Sequence, residues 1–414
     1  MIIIKNVIVK KYGGSSLSTV KRIQSVAKQI KESYSSNLNI VIVVSAMGSE
    51  TNRLINLVKS ISQQPAPREL DMLLSTGEQK SIALLTVALN AIGIKAKSFA
   101  GHQSKVLTNN RHNNARILEI NTEKILNAIE QGFVCVVAGF QGITSIGEIT
   151  TLGRGGSDTT AVALAAALDA EICEIYTDVD GVYTMDPNNY SKAKKINKIT
   201  YNEMLELSIL GAQVIHPRAV EIAAKFNIPL IIKSSFISTV GTIIHKEENK
   251  MENFTIKGIT VDNDTTYFSI SKLPKTQNLS YQLINEVNKR DISIDMVVQN
   301  FSPKDFYDLS FTVSKKYSSQ VKAVCELFNK ENSFTQLYHS TGFSKISVVG
   351  LGINNHPEVL GAFLKCLADF DINIECLTTS QMKISCLIDQ RFSKKAVESL
   401  HNTLFPTLLI QKNL

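Results

Sequence analysis

The chain has 414 residues, of which 44% are hydrophobic and 20% charged. That length supplies two or three cores, and the composition excludes a disordered or low-complexity chain. The formal net charge is +7, but Lys and Arg are spread along the whole length. No dense basic cluster is interleaved with aromatics, which argues against nucleic acid as a partner and for small anionic ligands.

The opening "MIIIKNVIVKKYGG" has too short an apolar run for a signal peptide or a membrane span. Within it "NVIVKKY" reads as a buried strand, and "LSTVKRIQSVAKQIKESY" follows with apolar residues at helical spacing. Between them lie Gly13 and Gly14, with Lys11 ahead and Ser15 and Ser16 behind. "NIVIVVSA" is a second buried strand, and its end brings Ser45, Gly48 and Thr51 ahead of the helical "TNRLINLVKSI". The helical "LLSTGEQKSIALL" carries Glu78. "IKAKSFA", "FVCVVAGF", "EICEIYT" and "IPLIIKSS" are further strands, each preceded by a helical pattern. The alternation predicts an α/β domain with a mostly parallel sheet over residues 1–248.

One stretch in this domain, "TTLGRGGSDTTAVALAAALDA", stands out. Gly153, Gly155 and Gly156 allow a sharp turn and a close backbone approach to a ligand. Ser157 is a natural N-cap for the helix that follows, and Asp158 lies in its first turn. A helix start of this kind favours anions, and Arg154 adds a fork suited to a carboxylate or phosphate. Neither glycine-rich stretch has Walker A spacing, and no G-x-G-x-x-G occurs. Two such strand ends on one sheet predict two anionic ligands meeting at its carboxyl edge.

The charged run Lys246–Asn253 reads as a linker. Beyond it "DISIDMVVQN" at Asp291 is echoed by "DINIECLTTS" at Asp371. Each is preceded by a strand and a helix ("YFSISKLP", "LSYQLINEVNKR"; "KISVVGLG", "VLGAFLKCLADF"). Each is followed by a strand and a second helix ("LSFTV", "SQVKAVCELFN"; "KISCLI", "KKAVESLHNTL"). This predicts two ferredoxin-like βαββαβ units, at 254–340 and 341–414. Because "FTIKGIT" also qualifies as a first strand, the two copies are open to sharing strands. The six cysteines are scattered and form no CxxC, as expected of reduced core residues in a cytoplasmic protein. The seven histidines show no metal-ligand spacing, so no protein-held metal is expected.

Taken together, "KYGGSS", "STGE", "TTLGRGGSDTTA", "IYTDVDGVYTMDP" and "GAQVIHPRAVEIA" resemble, in order, the motifs of the aspartate kinases of the amino-acid kinase family. The resemblance covers essentially the whole chain, and the tandem C-terminal units look like ACT domains. It implies ATP-dependent phosphorylation of the β-carboxylate of L-aspartate. That reaction is the first step toward lysine, threonine, methionine and diaminopimelate. It also implies roles. Lys11 stabilises the transferring phosphoryl group and Asp158 holds Lys11. Arg154 grips the substrate α-carboxylate and Glu78 its α-ammonium, with Ser45, Thr51 and Ser157 as further substrate contacts. ATP meets Lys11, Gly13, Gly14, Ser15, Thr177, Asp178, Tyr183 and Asp186, and brings Mg2+. Asn188 and Gln213 stand where members often carry a cation, which leaves more neutralisation to the metal.

An alternative class is a catalytically weak, amino-acid-binding regulatory subunit. Loss of Lys11, Arg154 or Asp158 would favour it, and all three are present. Kinase activity on another small acid is a third reading, but Glu78 with Arg154 favours an α-amino acid.

Effector loops of ACT domains often read Asp-x-Pro-Gly. Here the first copy has Lys275, Thr276, Gln277 and Asn278, and the second has Pro357 followed by Glu358. Asn278, Gln299, Asn300, Pro357, Glu358 and Thr379 are the candidate effector contacts. The departures predict weakened or altered feedback by lysine and threonine. Assembly into a homodimer or higher oligomer is expected through the ACT domains. Met251 opens a segment able to stand alone as a separate regulatory chain, as some family members make.

Overall fold

The computed structural model describes residues 6–34, 38–247, 255–275, 278–302, 305–332 and 336–410. The chain divides into two units, one of Met1–Thr184 with Ala193–Met251, the other of Met185–Lys192 with Glu252–Leu414.

Unit 1 begins β1 (Val7–Tyr12), α1 (Val20–Ser33), β2 (Asn39–Val44), α2 (Glu50–Lys59), α3 (Pro67–Ala91) and β3 (Ala96–Phe99). It continues β4 (Val106–Thr108), β5 (Ile117–Ile120), α4 (Glu123–Glu130), β6 (Val134–Ala138), β7 (Gln141–Ile143), β8 (Ile149–Thr151) and α5 (Gly156–Ala167). After β9 (Ile172–Thr177) come β10 (Val182–Tyr183), β11 (Lys195–Ile196), β12 (Lys198–Thr200), α6 (Tyr201–Ile209), α7 (Pro217–Phe226), β13 (Leu230–Ser234) and β14 (Thr242–His245).

Eight of these strands form one sheet in the order β12-β14-β13-β9-β1-β2-β6-β3. Every pairing in it is parallel except β13 with β14. The middle strands are buried on both faces, which is why they read as unbroken β-branched runs. On one face Ile23, Val26 and Ile30 of α1 and Ile82, Leu85 and Leu89 of α3 pack with Tyr12, Ile40, Ile42 and Val44. On the other face lies α5, buried from Thr159 to Ala165. Its small alanine and threonine side chains suit a helix enclosed all round. Thr19 caps α1 by accepting from Arg22 N, and Thr200 with Glu203 forms a capping box on α6. The six cysteines are free, five of them buried. No helix among the described residues is long and apolar enough to cross a membrane.

Unit 2 is built on β15 (Ile256–Pro274), α8 (Leu279–Asn288), β16 (Val297–Ser302), β17 (Phe306–Ser314) and α9 (Ser318–Asn332). These are followed by β18 (Gln336–Gly350), α10 (Pro357–Ala368), β19 (Ile374–Thr379), β20 (Lys383–Asp389) and α11 (Ser393–Ile410). They make a single six-stranded sheet, β16-β17-β15-β18-β20-β19, with every pairing antiparallel. Two strands are long enough to serve both βαββαβ copies. The end of β15 pairs with β17 and with the start of β18, whereas Ile256–Asp262 pairs with Lys345–Gly350 in the other half. The boundary expected at 340 therefore lies inside β18. Unit 2 also takes in Met185–Lys192, where Tyr190 donates to Asn402 Oδ1 at 2.6 Å and packs on His401, itself stacked on Phe405.

Candidate active site

The strand order places β1 between β2 and β9 at the centre of the unit 1 sheet. Chain connections leave β1 toward opposite sides, so the carboxyl ends of these three strands form a topological switch point. β1 brings two buried lysines there, on opposite faces. Lys10 pairs with Glu174 at 3.4 Å and donates to Ser33 Oγ at 2.7 Å. Lys11 points to the α5 face and pairs with Asp158 at 2.7 Å. Tyr12 stacks on Tyr176 of β9, with centroids 4.7 Å apart.

The turn after β1 is tightly constrained. A Cβ on Gly14 would lie 2.8 Å from the Ala46 carbonyl oxygen, so only glycine fits there. Gly14 O accepts from Gly48 N at 2.9 Å, and Ser45 N donates to Tyr12 O at 3.1 Å. Gly13 donates its N–H to Tyr176 O at 3.2 Å. Gly13 therefore has its N–H engaged within the protein. Its side-chain-free Cα instead faces Lys11 Nζ, 3.4 Å from where a Cβ would stand. Ser15 is exposed at the turn, while Ser16 is buried and donates to Ser235 Oγ at 2.8 Å.

The glycine-rich stretch forms the opposite wall. Gly153 and Gly155 have φ of 77° and 68°, the left-handed region that favours glycine. The N-cap of α5 is Gly155, not Ser157; Ser157 sits inside the first turn, buried, and no side chain caps the helix. The expected cap is displaced because the left-handed glycine already turns the chain into the helix. Gly156 N bonds back to Gly153 O at 3.0 Å, which leaves the next N–H groups, of Ser157 and Asp158, at a helix start that favours anions. Arg154, between the two glycines, is exposed, and its guanidinium makes no hydrogen bond or ion pair among the described residues.

Glu78 approaches from α3. It is 2% exposed, and its Oε1 accepts from Ala46 N at 2.9 Å. Oε2 is buried with no hydrogen-bond partner. Burial pushes the carboxyl up to about 8, only partly opposed by the Ala46 hydrogen bond. Ser45 just after β2 and Thr51 in the first turn of α2 are both partly exposed.

On the β9 side, Thr177 ends the strand and its hydroxyl donates to Asp178 Oδ1 at 3.1 Å, with Asp178 exposed. Tyr183 OH donates to Asp180 Oδ1 at 2.8 Å, and Lys195 donates to Asp180 Oδ2 at 3.0 Å. Asp186 lies in the excursion counted with unit 2, where its carboxylate accepts from Asn188 N and Asn189 Nδ2. Contacts thus link Lys11, Asp158, Gly13, Gly14 and Glu78 through shared neighbours, but tie Asp186 to its own turn. The sequence reading missed Asp180, Lys195 and Asp71. Asp180 stood inside a quoted motif, but nothing local marks its pairing with Lys195.

In unit 2, Asn278 is the left-handed N-cap of α8. Ser280 N donates to Tyr307 OH at 3.0 Å and Ser280 Oγ to Gln299 Oε1 at 2.9 Å. Thr276 and Gln277 lie outside the described residues. Asn300 is exposed on β16 and Thr379 closes β19. Pro357 opens α10, and the Glu358 carboxylate lies 2.9 Å from His356 Nδ1. A hydrogen bond from its own backbone N–H and this imidazole hold the Glu358 carboxyl below its ordinary value.

Comparison with known proteins finds the family. The amino acid kinase family matches residues 6–234 and an ACT domain matches 346–404. The chain is 44% identical over 395 residues to an aspartate kinase of Pseudomonas putida, covering 95% of this chain and 96% of that one. It is 42% identical to aspartokinase 2 of Bacillus subtilis, covering 95% and 97%. Among solved structures, the aspartate kinase of Synechocystis is 40% identical with a TM-score of 0.54, covering 96% of this chain and 69% of that one. E. coli aspartokinase III, in complex with aspartate and ADP, shares the fold at a TM-score of 0.81 and 22% identity, covering 97% and 100%. The chain belongs to the amino acid kinase family, among its aspartate kinases.

Proposed function

We propose that the switch point transfers the γ-phosphoryl group of ATP to the β-carboxylate of L-aspartate, giving 4-phospho-L-aspartate and ADP. The observation that carries this reading is Glu78. A buried carboxyl with one oxygen committed to Ala46 and the other unpartnered is what an α-ammonium group would complete. Arg154, exposed and unpaired across the site, takes the α-carboxylate bidentately. With both ends of the amino acid fixed, its side-chain carboxylate is directed toward Lys11.

In the reaction a carboxylate oxygen forms a bond to the γ-phosphorus while the bond from phosphorus to the β,γ-bridging oxygen breaks. The carboxylate nucleophile carries no proton, so no general base is needed, and positioning with charge neutralisation does the work. Lys11 supplies a cation at the transferring group, and Asp158 at 2.7 Å fixes its ammonium. Thr177, Asp178 and Tyr183 border the nucleotide at the end of β9. Magnesium bound with the nucleotide would supply the positive charge on the phosphates that Gln213, in place of a cation, does not.

Unit 2 is read as an amino-acid-sensing and assembly unit. In its second copy, Glu358 already places a carboxylate at the start of α10, where an effector carboxylate would go. In the first copy, Tyr307 takes a first-turn N–H of α8. Both features support weakened or altered response to lysine and threonine. The edge strands β16 and β19 expose Val297 and Leu377, which supports pairing with a second copy. The activity is tested by following ATP consumption with L-aspartate, with and without hydroxylamine to trap the acyl phosphate. Aspartate-dependent ADP release with hydroxamate formation is expected. ATP turnover that ignores aspartate overturns the reading.

A further inference from the structure

The stretch "GAQVIHPRAVEIA" enters the reading above only through Gln213, yet its middle touches the substrate wall. Pro217 occupies the first position of α7, and His216 caps that helix by accepting from Arg218 N at 3.3 Å. Proline fixes the entry angle of a helix at this position. The side chains on either side of it therefore project in set directions, and both meet the glycine-rich turn. A Cβ on Gly155 would lie 2.2 Å from His216 Cβ and Cγ. The Arg218 guanidinium donates to Leu152 O at 2.6 Å and to Ala115 O at 2.9 Å.

These two carbonyls frame the turn. Leu152 directly precedes Gly153, and Ala115 N donates to Thr151 O at 2.9 Å. From the other side Asp71, fully buried on α3, accepts from Thr151 Oγ1 at 2.5 Å, from Asn113 N at 3.0 Å and from His112 Nδ1 at 2.8 Å. A Cβ on Gly153 would stand 2.9 Å from Asn113 O. Arg154 is thus presented by a turn whose entry, at Thr151 and Leu152, is held by the buried Asp71 and the half-buried Arg218 and whose end, at Gly155, packs on His216, while its own guanidinium is held by nothing among the described residues. Arg218 forms no ion pair among the described residues. Burial penalises the charged guanidinium, and with no ion pair its two hydrogen bonds to backbone carbonyls are what offset that cost.

We propose that Arg218 is a positioning residue for aspartate binding, holding the Leu152–Gly155 turn so that Arg154 meets the substrate α-carboxylate. The proposal rests on the assignment of Arg154 to that carboxylate. Arg154→Ala, Arg218→Met, Arg218→Lys and the double variant Arg154→Ala/Arg218→Met are compared by steady-state kinetics on the full-length protein. Arg154→Ala is expected to raise KM for aspartate by about tenfold or more, as loss of a charged hydrogen-bond pair does. Arg218→Met is expected to raise KM for aspartate about tenfold, with KM for ATP within about twofold of wild type. The double variant should be no more than about twofold worse than Arg154→Ala alone, because one residue acts through the other. Arg218→Lys, able to reach a single carbonyl, should fall between wild type and Arg218→Met, and it carries the test if Arg218→Met does not fold. Arg218 variants with wild-type KM for aspartate, or a double variant equal to the product of the singles, overturn the proposal. If Arg154→Ala itself leaves KM for aspartate unchanged, the assignment of Arg154 fails, and the proposal with it.

Discussion

With its carboxyl raised to about 8 by burial, Glu78 is mostly protonated at neutral pH until a cation arrives beside Oε2. Aspartate binds through the ionised form, so binding must displace a proton below that pKa. KM for aspartate should therefore fall as pH rises from 6.5 to 8, by up to about tenfold per unit, and flatten above 8. Glu78→Gln should abolish this slope and hold KM high throughout. A wild-type profile flat across that range would show that Glu78 does not meet the ammonium group. Lys11 is the other residue on which the chemistry turns. Loss of a preorganised charge contact at a transferring group costs about 2.7–4 kcal/mol, or ~10²–10³ in turnover. Lys11→Ala should show a fall of that size in kcat with an unchanged circular dichroism spectrum. Retention of more than half the activity would remove Lys11 from the mechanism.

At the scale of elements, the join between the glycine turn and α5 tolerates no side chain. Gly155→Ala would place a Cβ at φ 68° and against His216. Strain of this kind costs about 1–3 kcal/mol. Denaturant unfolding should register the loss, and an unchanged midpoint would mean that the turn relaxes freely. The strands of unit 1 were legible because burial on both faces leaves continuous β-branched runs, as in "NIVIVV". The glycine turns were legible because few other residues serve there. What the sequence hid is the continuity of β15. Asp262, Asn263 and Asp264 read as a turn between two strands, yet the chain passes through them with a register shift. Lys345 pairs with Asp262, and Ser344 donates to Asn263, so polar residues that mark a loop in sequence are satisfied inside a strand. Arg218 was hidden for a different reason. Its partners lie 66 and 103 residues away, and no local pattern encodes a guanidinium that binds carbonyls.

For the whole molecule, the proposed effector response depends on how the α8 and α10 starts are occupied. Allosteric coupling is typically only ~1–3 kcal/mol, so under the reading proposed above one repulsive carboxylate at Glu358 and one N–H taken by Tyr307 are expected to remove most of it. Inhibition curves with lysine, threonine and both together, up to about ten millimolar, should show at most weak inhibition. Strong inhibition at sub-millimolar effector would show that these loops still bind. Pairing through the exposed β16 and β19 edges should give a dimer or larger species by light scattering at micromolar concentration, and a monomer would count against it. The excursion Met185–Lys192 has a consequence for the order of synthesis. Tyr190 is made 212 residues before Asn402, its hydrogen-bond partner, in an excursion whose base is joined by a hydrogen bond from Thr184 N to Lys194 O. Helix α11 then folds onto a residue made much earlier in the chain. A product begun at Met251 would carry every strand of the second sheet but not that excursion, so His401 would emerge without the aromatic ring that packs on it.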